Sequence, residues 1–126
     1  MITAQELRIG NWVQLYVAGP KQVREVKKYN VEFEGIDNGS FYDYNIVHGI
    51  PLTPEILEKM GFEKQADGFY CKLGHSFYLT YYTEEKVICT EVTDGQIIHH
   101  NHIKHVHQVQ NIYLALTGSD LPPFSL

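Results

Sequence analysis

Five of the chain's seven histidines fall inside nine positions of the stretch IIHHNHIKHVHQVQN, residues 97–111: His99, His100, His102, His105 and His107. Imidazoles at this density can bind a metal, move protons or form the polar edge of a helix. A zinc centre needs three or four ligands converging on one point. If the stretch is helical, His102 and His105 share a face, and His100 can fold toward them. His107 lies well around the helix from His105. The geometric candidate for a metal set is therefore His100, His102 and His105. No cysteine or spaced carboxylate completes it, and the H-E-x-x-H spacing of zinc proteases is absent. The expectation is no stoichiometric metal and no cofactor. Histidines in a first helical turn also feel the positive end of the helix dipole, which opposes their protonation.

Two further groups could carry recognition. His107, Gln108, Gln110 and Asn111 form a polar row, of which His107, Gln110 and Asn111 are contiguous on a helix. Either amide, if buried, should hydrogen-bond backbone in another element. Tyr70, Tyr78 and Tyr82 form an outward aromatic row on predicted strands. Such rings can stack on a ligand, anchor a partner, or simply pack across strands. Nucleophilic chemistry has little support, because neither Ser40 nor Ser76 sits in a nucleophile elbow and no Gly-rich phosphate loop occurs. An enzyme is the less favoured reading.

The bulk composition narrows the class. The chain has 126 residues, 44% of them hydrophobic, with a formal net charge of −5. An acidic protein of this size does not present the basic surface that duplex nucleic acid requires. The basic run KQVREVKK at 21–28 reads as the solvated side of a strand. Cys71 and Cys89 lie in apolar strand-like runs without metal or redox spacing, as expected of free thiols in a reducing compartment. MITAQELRIG lacks the pattern of a signal peptide, and no apolar run reaches the length of a membrane span. The expectation is a cytoplasmic protein with no membrane partner.

The elements that must position these groups follow from periodicity and turn chemistry. TAQE is a capping-box pattern in which Glu6 reaches back toward Thr3. NWVQLYV then alternates, with Val13, Leu15 and Val17 on one face and Trp12, Gln14 and Tyr16 on the other. Val23 and Val26 alternate imperfectly, which predicts a bulged strand. Val31 and Phe33 mark the next strand, DNGS at 37–40 a hairpin turn, and FYDYNIV a further strand. Short strands of this kind must close or be covered, and a small SH3-like β-barrel over residues 1–53 is the predicted solution.

Residues 54–126 are predicted to pack as one unit of helix, five-strand antiparallel meander and C-terminal helix. LTPEILEKMGF has Thr53 as N-cap, Pro54 at the first helical position, a stripe of Ile56, Leu57 and Met60, and Gly61 as C-cap. Five strands follow from 62 to 100, turning at DG, GH, TEEK and TDG. Asn101 is the predicted cap of the last helix, whose stripe runs Ile103, Val106, Val109, Ile112, Tyr113 and Leu116 and ends at Gly118. The fold class expected is α+β.

Three blocks, ELRIGNWVQ, IPLTPEILEKMGFEK and HIKHVHQVQNIYLALTG, in that order, resemble small uncharacterised proteins of Bacteroidetes and of their phages and mobile elements. The most specific part is HQVQNIYLALTG at 107–118. In that family the preceding segment often reads IKYVHQ, so His105 stands where an aromatic is usual. The resemblance implies a context and no reaction. With the acidic charge and the tyrosine-rich strands, it favours a non-enzymatic binding or assembly module for a protein partner or small ligand. The alternatives are a protein that sequesters a nucleotide signal, which needs aromatics together with Arg8, Arg24 or a lysine, and a histidine-dependent metal hydrolase.

Overall fold

The computed structural model describes residues 2–16, 18–36, 41–74 and 76–126. The fold is α+β, with two five-stranded antiparallel sheets and two α-helices. Two compact units divide the chain: residues 1–51 with 105–111 and 126, and residues 52–104 with 112–125. The first unit thus takes in chain from both sides of the boundary drawn from sequence at residue 53.

The first unit opens on a single 3-10 turn at Ala4–Glu6. The Thr3 N–H donates to Glu6 Oε2 at 2.9 Å, the reach-back that TAQE encodes. Five strands follow: β1 (Trp12–Leu15), β2 (Gly19–Val26), β3 (Asn30–Phe33), β4 (Tyr42–Asp43) and β5 (Val47–His48). Their order is β4-β3-β2-β1-β5, and the sheet is not closed. Val13 and Leu15 are buried as alternation predicts, and they join Ile2, Leu7, Val23, Val31, Phe33 and Val47 in one apolar core. The expected bulge lies in β2 between Val23 and Glu25. Val17 and the DNGS turn lie outside the described residues.

FYDYNIV is not one strand. It divides into β4, a 3-10 turn at Tyr44–Ile46, and β5. β4 and β5 occupy opposite edges of the sheet, so the chain must cross between them. The Tyr44 hydroxyl, donating to the Lys27 carbonyl, pins that crossing.

In the second unit, α1 (Pro54–Lys59) has the ends that its sequence encodes. Thr53 Oγ1 accepts the Ile56 N–H at 3.2 Å. At the other end Gly61 adopts φ +95°. Its N–H donates to Glu58 O at 3.0 Å, while Phe62 N–H donates to Leu57 O at 3.0 Å, the paired bonds of a Schellman cap. Leu57 and Met60 are buried, so a helix too short to persist alone is held by packing.

The meander comprises β6 (Glu63–Gln65), β7 (Gly68–Gly74), β8 (Phe77–Tyr82), β9 (Val87–Val92) and β10 (Ile97–His100), in simple up-and-down order. Registers align Phe69, Tyr81 and Ile88 on one face, and Tyr70, Thr80 and Cys89 on the other. Both cysteines are free thiols. The GH turn includes His75, which lies outside the described residues.

The last helix, α2 (Val106–Thr117), begins later than Asn101 predicts. His105 is its cap: its N–H donates to Gln108 Oε1 at 3.0 Å, and its backbone pairs with Pro51. The bridge keeps the chain extended through 105, so helix can begin only beyond it. The apolar stripe also fades sooner than predicted. Val106 and Val109 are buried, Ile112 and Tyr113 are half-buried, and Leu116 is 41% exposed. Gly118 ends the helix at φ +76°, as expected.

Candidate functional site

The late start of α2 divides the histidine run among different elements. His99 and His100 belong to β10, His102 to the turn after it, His105 to the cap and His107 to the first helical turn. The premise that His102 and His105 share a helix face therefore fails. Among the described residues, no three His, Cys, Asp or Glu side chains gather as a metal set, so His100, His102 and His105 are not assembled as one. His100 is engaged within its own sheet, its Nε2 lying 2.6 Å from Thr90 Oγ1. Its imidazole is held below the ordinary range by burial, then by His102 and His99.

Most of the polar row is absorbed by the first unit. Gln110 Oε1 accepts the Trp12 N–H at 2.8 Å, and Gln110 Nε2 donates to Gly10 O at 3.1 Å. Asn111 Nδ2 donates to Glu6 O at 2.7 Å, while its Oδ1 accepts from Arg8 Nε at 2.8 Å and from Asn11 Nδ2 at 3.0 Å. Asn11 is itself buried, and its Oδ1 takes the Arg8 N–H at 2.7 Å. Both amides thus bond backbone outside their helix, as expected from buried amides in an otherwise apolar helix. Gln108 is spent on the cap. Asn11 and Arg8 were not singled out from sequence as partners of this row. A polar Asn directly before an alternating strand was the available signal, and its partners lie a hundred residues away.

His107 is 1% exposed. Its Nε2 faces Glu6 Oε1 at 3.5 Å, and its ring stacks on His105 with centroids 5.8 Å apart. Nδ1 is buried without a partner. Burial holds the His107 imidazole below its ordinary pKa; Glu6 opposes that shift and His105 adds to it. Burial alone would raise the Glu6 carboxyl, but the Thr3 N–H and His107 outweigh it and the net shift is downward. The pair borders a hollow of about 340 Å³ with His48, His105 and Gln108. Among the described residues, no serine or cysteine lines that hollow.

The tyrosine row is placed differently. In the second unit, Tyr78 and Tyr82 flank Thr80 along β8, and Tyr70 belongs to the adjacent strand, directly opposite Thr80. Strand alternation puts all four side chains on one face. Thr80 is 8% exposed and forms a floor between the rings. Tyr70 and Tyr78 meet edge to face, with centroids 5.7 Å apart. Thr80, smaller than the tyrosines beside it, leaves space between them. A Cβ at Gly68 would overlap the Tyr81 carbonyl oxygen, so the backbone there requires glycine. Among the described residues, the lining of the resulting cleft of about 370 Å³ includes the three tyrosines, Asp67 and Glu91, and neither lysine nor arginine.

Two phenols are tied to carboxylates. The Tyr82 hydroxyl donates to Glu91 Oε1. That bond, with burial and the nearby charge, pushes the Tyr82 phenol up to about 12. Glu63 stands opposite Tyr70 in the register, and its charge raises the Tyr70 phenol. Both shifts favour the neutral phenol at Tyr82 and Tyr70.

The two arginines expected to serve an anionic ligand are engaged elsewhere. Arg8 bonds Asn111 and the Gln110 carbonyl, and Arg24 pairs with Glu32 at 3.0 Å. No helix among the described residues is long and apolar enough to cross a membrane. No family model matches the chain, and no curated protein or solved structure matches it.

Proposed function

We propose that the chain is a non-enzymatic binding module that works through the tyrosine cleft of its second unit. The observation that carries this reading is the cleft itself: three aromatic side chains around a small floor, with polar atoms at its border. Aromatic-lined concavities with a few convergent polar groups are the usual form of ligand sites. Gln110 and Asn111 now have structural duties, which removes them as the leading alternative. A nucleotide-sequestering role is disfavoured, because the cleft is lined by Asp67 and Glu91 and by no cation.

The first unit is read as an open SH3-like barrel. Support comes from its strand order, in which β1 lies between β2 and the short β5. It would act as the scaffold that positions the module in an assembly. The three sequence blocks support an origin among small Bacteroidetes phage or mobile-element proteins, acting in the host cytoplasm.

Amide and side-chain NMR of the full chain, titrated with a mixed library of neutral and charged fragments, tests the reading. Saturable shifts should map to Tyr70, Tyr78, Thr80 and Glu91. Hits that map consistently to other surfaces would move the site away from the cleft.

A further inference from the structure

We propose that the tyrosine cleft selects an organic cation of the alkylated-ammonium class; this rests on the cleft being the binding site. The argument begins with charge. Asp67 and Glu91 line the cleft, and Glu63 stands beside Tyr70. A second hollow, of about 420 Å³, shares Asp67 and Tyr82 and adds Glu84 and Glu85, so the acidic field extends past the cleft border. Lys72 lies opposite Tyr78 on the same face, but it does not line the cleft. An anion entering here would meet carboxylates, and a cation would be drawn in.

The chemistry of the rings narrows the class. Electron-rich rings attract a cation through their quadrupole, and the cleft presents three of them. Tyr82 donates its hydroxyl proton to Glu91, which leaves its ring richer in electrons. That bond also occupies part of Glu91's acceptor capacity. Such a site supplies negative charge together with π density. Primary ammonium and guanidinium groups need several acceptors when they are desolvated. An alkylated ammonium needs few or none, and its apolar shell suits aromatic walls. The small Thr80 floor within a cleft of about 370 Å³ leaves room for one such headgroup.

The test pairs choline with its uncharged carbon isostere, 3,3-dimethyl-1-butanol, each titrated into the full chain by NMR. Choline should shift the Tyr70, Tyr78 and Thr80 resonances saturably, with an affinity about tenfold above that of the isostere. Glu91→Gln keeps an acceptor for Tyr82 and removes the charge; it should weaken choline several-fold and leave the isostere unchanged. Tyr78→Leu should abolish the preference, with the amide spectrum confirming a retained fold. A peptide carrying one trimethyllysine, run in parallel, identifies the source: tighter binding than choline assigns a polypeptide partner, and weaker binding a free small cation. Equal affinity for choline and the isostere overturns the cation inference while leaving the binding reading intact. If neither probe nor any library fragment reaches the cleft, both fall.

Discussion

The polar groups of the two units have opposite fates. In the first, Gln110 and Asn111 spend their amide atoms on Trp12, Gly10, Glu6, Arg8 and Asn11. In the second, Tyr70, Tyr78 and Tyr82 line a cleft, and the Tyr82 hydroxyl donates to Glu91 in its lining. The difference is one of satisfaction. A buried amide without partners is costly, so evolution of a stable unit closes such a network on itself. A half-buried phenol on a sheet face bears no such penalty and remains available. Polar residues in an apolar helix therefore mark a structural junction here, and the aromatics on the sheet face mark the candidate binding surface.

Substitutions should separate the two regions by size of effect. Leu57→Ala sets the scale: the side chain is fully buried, and its loss should cost about 2–4 kcal/mol in chemical denaturation. Gln110→Ala should follow at about 1–3 kcal/mol, because it removes the bonds to the Trp12 N–H and to the Gly10 carbonyl, the latter keeping its bond from Gln22 Nε2. A cost below about half a kcal/mol would show that water replaces the amide and that the junction is not closed. Tyr78→Leu should cost about 1 kcal/mol, the worth of one edge-to-face aromatic pair. A loss as large as that of Leu57→Ala would make the tyrosine row a core, and the contrast would collapse.

The smallest effect should appear in pH dependence. His107 has a folded pKa below its unfolded value, so the folded state favours the neutral ring. Between the two values the unfolded chain binds more protons, and stability falls as pH drops. The contribution is complete above the unfolded histidine pKa of about 6.5 and is lost as pH falls through that value toward the folded one. Glu6 has the same sign in a lower window, below its ordinary 4.5. Melting temperatures of the wild type and of His107→Gln between pH 7.5 and 5 measure the first effect. The variant should show the shallower slope in this range, and parallel slopes would assign the dependence to other groups such as His100.

The local elements were legible in the sequence because their causes are local. Thr53, Pro54 and Gly61 fix the ends of α1 through bonds to residues within the same turn. Alternation placed Tyr70 and Tyr78 on one sheet face, since strand pleat allows no other arrangement. The helix cap was misplaced for a non-local reason. Asn101 is a good N-cap residue, yet the chain only turns at 101–102 and starts no helix until after His105, which pairs with Pro51 and whose cap Gln108 completes. The FYDYNIV segment broke for a similar reason, because its two halves serve opposite edges of one sheet.

The sequence by itself determined both caps of α1, the strand alternation, the acidic balance and the identity of the polar and aromatic rows. Only the tertiary structure decided their roles. Whether an amide is spent or free depends on what stands opposite it, and for Gln110 and Asn111 that is chain from residues 6–12. Whether a tyrosine row becomes a cleft depends on the size of the residue between its rings, here Thr80, which stands opposite Tyr70 on the next strand. Both are contacts between residues far apart in the chain or on different strands, and periodicity, which reports only one element at a time, carries no record of them.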